Sequence, residues 1–157
     1  MKVFRIKKKA YANDLEGRGG LFASGRWHRK GNRVIYASES ISLAAWERFV
    51  HLTDYRNIPS DLVVVTINIP DDIGIIEVPG YILISGWNVS EPYQFYKKDT
   101  MEYGTRFLKE SRHFVLKVPS AVVKNEYNFL LNPNHSDIKR CTIERIELFT
   151  FNGRIGG

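Results

Sequence analysis

The run LVVVTINI at residues 62–69 constrains this chain more than any other segment, because it is rich in β-branched residues, has the length of a strand and is closed by Pro70. β-Branched side chains fit a packed, pleated surface and proline removes the next ladder donor, so the run predicts a buried strand. Further strands are predicted at residues 3–6, 33–37, 75–78, 114–118, 126–131 and 142–151, the last two separated by the Asn132-Pro133-Asn134 turn. Ser40 stands where an N-cap belongs, ahead of Leu43, Trp46 and Val50 at helical spacing, which predicts a helix running to about Leu52. Asp99 is placed to cap a second helix through Phe107 and Leu108, which Gly104 weakens. The order is mixed and strand-rich without regular βαβ alternation, so the fold class is α+β.

At 157 residues, with no repeat, low-complexity tract or Ser/Pro-rich linker, the chain is read as a single domain with a frayed tail at residues 153–157. Thr66 and Asn68 interrupt the most apolar stretch, and the basic start MKVFRIKKKA has no apolar run behind it. Neither a membrane span nor a cleaved secretory signal is therefore expected. A lone cysteine, Cys141, leaves no internal disulfide and fits a reducing compartment, so the expected location is the cytoplasm. The formal charge of +6 favours anionic partners, among them nucleic acid, a phosphate-bearing cofactor or an acidic protein. Part of that charge, Lys7, Lys8 and Lys9, reads as a solvated strand end; the denser cluster is Arg26, His28, Arg29, Lys30 and Arg33.

That cluster lies in a long segment carrying Gly17, Gly19, Gly20, Gly25 and Gly31, a loop whose backbone amides can approach a ligand closely. Arg26 in it is either a forked donor for phosphate or a surface arginine. The glycine spacing matches neither a dinucleotide-fold fingerprint nor a phosphate-binding P-loop. Glu47 falls at helical spacing beside Leu43 and Val50, on the stripe that should face the core. A carboxylate there is costly unless it meets a cation such as Arg48 or a loop arginine, or borders a cavity. Ser120, after Pro119 at a strand end, is a site hydroxyl or a turn hydrogen-bonding group. The four histidines are scattered without Cys or His companions, so no metal site is expected, and no G-x-S-x-G elbow is present.

The segments SGRWHRKGNRVIYASESISLAAWE and VPSAVVKNEYNFLLNPNH together resemble the RES domain, named for an Arg, a Glu and a Ser and found as the toxin of bacterial Xre/RES toxin–antitoxin pairs. On this resemblance the domain spans residues 1–152, with Arg26 in GRW, Glu47 in LAAWE, Ser120 in VPS and Tyr36 in VIYAS as the matching residues. Gly31, Asn128, Asn132, Pro133 and His135 fit the pattern as well, whereas residues 55–98 carry no diagnostic motif.

The resemblance implies an ADP-ribosyltransferase-like fold, with a mixed sheet and flanking helices, that binds NAD as substrate and breaks its nicotinamide–ribose bond without a metal. It implies Arg26, Glu47, Ser120 and Tyr36 as catalytic residues, and Arg26, Trp27, Tyr36, Asn128 and His135 as NAD contacts. Such a toxin depletes NAD, by hydrolysis or phosphorolysis, or transfers ADP-ribose to a protein acceptor. Its implied partner is an Xre-type helix-turn-helix antitoxin, with no membrane and no direct nucleic-acid contact. Two readings of other classes compete. A basic nucleic-acid-binding module would use the +6 charge and the aromatics Trp27 and Tyr36, but leaves Glu47 without a job. A structural interaction protein would leave the joint match of Arg26, Glu47 and Ser120 unexplained.

Overall fold

The computed structural model describes residues 1–52, 54, 57–89 and 97–155. Its strands are β1 (Lys2–Lys8), β2 (Ile35–Ser38), β3 (Leu62–Asn68), β4 (Ile75–Glu77), β5 (Val115–Pro119), β6 (Tyr127–Leu131) and β7 (Thr142–Leu148). They form one seven-stranded sheet in the order β4-β5-β6-β2-β1-β3-β7. Every pairing is antiparallel except β4 with β5, so the sheet is mixed but mainly antiparallel, in keeping with the expected α+β class. The two α-helices among the described residues are α1 (Ile41–Phe49) and α2 (Lys97–Glu110). The expected tail at 153–157 is described only as far as residue 155, its last two positions lying outside the described residues.

The β-branched run behaves as its composition demands. Every residue of β3 from Leu62 to Ile67 is buried, because β1 and β7 flank it and both faces are covered. Alternation along β2, β5 and β6 then sorts side chains onto two cores. Ile35, Ala37, Val115, Phe129 and Leu131 join Val63, Val65 and Ile67 on one face. Leu116, Val118 and Leu130 meet Trp27, Val34, Phe107 and Leu108 on the other, which α2 covers. Burying one such aliphatic or aromatic side chain stabilises the fold by about 1.5–3 kcal/mol, so the two faces hold the sheet as one unit.

The helices depart from the sequence reading in instructive ways. Ser40 does cap α1, its hydroxyl accepting from the Leu43 amide at 3.0 Å. The buried arc of α1, however, is Leu43 and Ala44, while Trp46 and Val50 are 49% and 45% exposed. At about 100° per residue, Glu47 falls between Leu43 and Ala44 in angle, so it lies nearer the middle of the buried arc than the expected stripe suggested. The helix also stops short of Leu52, because the amides of His51 and Leu52 bond three residues back, to Arg48 and Phe49, tightening the last turn. Asp99 is not the cap of α2: the helix starts at Lys97, and Asp99 sits in the first turn, where its charge faces the positive helix end. Gly104 is a packing requirement, since a Cβ there would lie 1.9 Å from the Trp27 carbonyl oxygen. Strand β7 ends at Leu148, three residues before the expected limit, although the Phe149 amide still bonds Leu62 O at 2.9 Å. Lys7 is not part of a solvated strand end: Lys8 and Lys9 are exposed, but the Lys7 side chain is only 15% exposed, with Nζ 3.8 Å from Asp14 Oδ2.

Candidate active site

Strand β2 supplies the first two polar side chains of the site, because Tyr36 and Ser38 are two residues apart and share a face. The register sets Ser38 opposite Asn128 of β6, and Asn128 opposite Val118 of β5. Just beyond Val118 the chain leaves β5, and the Ser120 amide bonds Glu126 O at 2.8 Å, which holds Ser120 at the same end of the sheet. Helix α1 begins three residues after Ser38 and lies across β1 and β2, so its buried arc brings Glu47 over this end.

There the polar groups close on one atom. Ser120 Oγ donates to Glu47 Oε1 at 2.7 Å, and Asn128 Nδ2 donates to the same oxygen at 2.5 Å. Ser120 Oγ in turn accepts from the Val122 and Val123 amides, each at 3.0 Å, so it serves as both turn acceptor and carboxylate donor. Ser38 Oγ donates to Asn128 Oδ1 at 2.6 Å, which aims the amide's nitrogen at Glu47. Glu47 Oε2 takes no part in either of these bonds. The result is a half-buried carboxylate whose orientation is set by three side chains from β2, β6 and the turn after β5.

Arg26 comes to this group from the glycine-rich loop. Its guanidinium donates to the Trp87 carbonyl and lies 6.0 Å from the Trp87 ring centroid. Burial lowers the Arg26 pKa, while the nearby charges of Glu47 and Tyr36 oppose that shift. Burial likewise raises the Tyr36 phenol above its ordinary range, against the pull of the Trp27 backbone and of the Arg26 charge. Helix α2 holds the loop in place: Thr100 Oγ1 donates to Arg26 O at 3.0 Å, and the Arg29 amide donates to Thr105 Oγ1 at 2.9 Å.

Arg26, Tyr36, Glu47, Ser120 and Asn128 are thus brought together, and two other candidates are not. Trp27 is 3% exposed and belongs to the core beneath α2, with its ring 5.9 Å from that of Trp87. His135 lies past Leu131, at the opposite end of β6 from Asn128, where it packs 5.9 Å from the Phe114 ring and accepts from the Asp137 amide. The reason for His135 is the register of β6, and for Trp27 the docking of its loop against α2, neither of which sequence order reveals. Ser38 and Trp87 were missed as contributors. Only Ser38 had a readable signal, its two-residue spacing from Tyr36 in a strand. Among the described residues, no group of three or more His, Cys, Asp or Glu is placed to hold a metal ion, and no helix is long and apolar enough to cross a membrane.

Comparison with known proteins bears on the chain as a whole. A solved structure described as the M. tuberculosis MbcT-MbcA toxin–antitoxin complex is similar in fold, with a TM-score of 0.61 at 16% identity over 95% of this chain and 81% of the matched one. The chain is 36% identical over 156 residues, 99% of both chains, to a Pseudomonas putida protein named Toxin Res. It is 31% identical over 147 residues, 92% of this chain and 88% of the relative, to the Prs ADP-ribosylating toxin of a Sphingobium species. The RES domain model matches residues 2–152, and with these relatives over nearly its whole length the chain belongs to the RES domain family.

Proposed function

We propose that this chain is the toxin of a bacterial toxin–antitoxin pair, which acts in the cytoplasm by binding NAD and cleaving its nicotinamide–ribose bond. The observation that carries this reading is the Glu47 carboxylate held through one oxygen by Ser120 and Asn128. In this cleavage nicotinamide leaves neutral, so protonating the leaving group gains little, while positive charge develops on the ribose. A fixed carboxylate beside that ribose stabilises the charge without reorganising, which is the largest electrostatic contribution such a site can make. Ser120 and Asn128 hold the carboxylate, and Asn128 and Tyr36 border the nicotinamide–ribose end. Arg26, whose charge persists despite burial, takes the pyrophosphate. Trp27 and His135 have no direct part in this reading, being core and far-end residues respectively.

Growth arrest follows from NAD depletion, with water or phosphate as acceptor. A protein acceptor is the second reading, favoured by the relative named as an ADP-ribosylating toxin. The partner proposed is an Xre-type helix-turn-helix antitoxin, in keeping with the toxin–antitoxin complex of similar fold. Purified chain incubated with NAD, with and without host proteins, and resolved by mass separates the readings. Free nicotinamide with ADP-ribose or its phosphorylated form supports depletion, and ADP-ribose mass added to a protein supports modification. Intact NAD under all conditions rejects both.

A further inference from the structure

His28 is a buried polar side chain, 4% exposed, that the mechanism above does not use. Its Nε2 is 2.9 Å from the Ala23 carbonyl oxygen and its Nδ1 is 2.8 Å from the Tyr36 hydroxyl. A carbonyl oxygen only accepts, so Nε2 carries the imidazole proton, and in the neutral ring Nδ1 then offers only a lone pair. The Tyr36 hydroxyl must therefore donate to His28. Burial lowers the His28 pKa, opposed by its bond to Ala23, which favours this neutral form. The two rings are 5.6 Å apart, and the loop closes tightly over them. A Cβ on Gly25 would lie 2.9 Å from both Nδ1 of His28 and the Tyr36 hydroxyl, while the Gly25 amide bonds His28 O at 2.9 Å.

We infer that His28 is a positioning residue, whose Nδ1 accepts the hydrogen bond of the Tyr36 hydroxyl and so presents the substrate with a fixed aromatic ring whose hydroxyl proton is already engaged. The inference rests on the reading of Tyr36 as a contact at the nicotinamide–ribose end. It makes Tyr36 a binding surface and not a general acid, which matches a leaving group that departs neutral.

Two substitutions separate this role from simple support of the loop. The side-chain carbonyl of His28→Asn reaches the place of Nδ1 and can still accept from Tyr36, but loses Ala23. The longer amide of His28→Gln reaches the place of Nε2 and keeps Ala23, but offers Tyr36 no acceptor there. The expected result is a KM for NAD raised about tenfold or more in His28→Gln with a smaller change in kcat, and rescued to within about threefold of wild type in His28→Asn. In a Tyr36→Phe background neither substitution should add to the loss. Equal losses in both variants, a wild-type KM in His28→Gln, or effects additive with Tyr36→Phe would each overturn the inference. The ¹⁵N shifts of the His28 ring in the unmodified protein read the tautomer without any turnover. A protonated Nε2 and a bare Nδ1, perturbed by Tyr36→Phe, are expected, and a protonated Nδ1 overturns the inference even where NAD is cleaved. A wild-type chain that leaves NAD intact rejects the proposed function instead, and the ring shifts still decide the place of His28.

Discussion

The two donors on Glu47 Oε1 make distinct demands on Glu47 and Ser120. Glu47→Gln keeps the size of the side chain but removes the charge that the proposed mechanism sets against the ribose, and kcat for NAD cleavage should fall on the order of 10² or more. Ser120→Ala removes one donor and also strips the Val122 and Val123 amides of their shared acceptor, so it should lower kcat less and cost about 1–3 kcal/mol of stability. Because Ser120 acts through Glu47, the two changes combined should cost little more activity than Glu47→Gln alone. Steady-state kinetics and urea unfolding on the three variants check this. Full activity in Glu47→Gln would reduce Glu47 to a residue of the helix–sheet contact.

At the scale of elements, α2 clamps the glycine-rich loop through Thr100, Gly104 and Thr105, and β1 carries charges into a partly buried layer. Gly104→Ala would ordinarily stabilise a helix by about 1 kcal/mol. Here the added methyl meets the Trp27 carbonyl, so the expected outcome is a net loss of about 1–3 kcal/mol in urea unfolding together with weaker NAD binding, since Arg26 must shift with the loop. In β1, Lys7 is pushed down to about 8 by burial and by Arg5, against the pull of Asp14. Its folded value lies below its ordinary one, so between about pH 8 and 10 the unfolded chain binds more protons and stability rises with pH. Lys7→Met should be more stable than wild type near pH 7, with the difference shrinking as pH rises through that window. Thermal unfolding from pH 7 to 10 measures it, and a difference independent of pH would place the destabilisation elsewhere.

For the whole molecule, the excess of positive charge and the cationic Arg26 beside the site make an acidic or carboxylate-ended segment of an antitoxin the natural plug. Neutralisation should then be competitive with NAD and weaken as salt rises. Titrating the antitoxin against cleavage rate at several NAD concentrations tests it; inhibition untouched by saturating NAD, in a complex that still binds NAD, would locate the block away from the site.

What the sequence alone determined is local. The β-branched run, the Ser40 cap and the helical spacing that turns Glu47 inward all depend on neighbours within one turn or one pleat, and the order of Arg26, Tyr36, Glu47 and Ser120 was enough to recognise the family. The tertiary structure alone decided which chemistry meets. Ser38 and Asn128 are 90 residues apart and face each other only through the β2–β6 register, and Glu47 reaches Ser120 across 73 residues. Trp27 turned into the core, and His135 went to the far end of β6. The physical reason is that strand partners present nearly interchangeable backbone donors and apolar faces. Their order is settled by how all seven strands and both helices bury their surfaces together, not by any single segment.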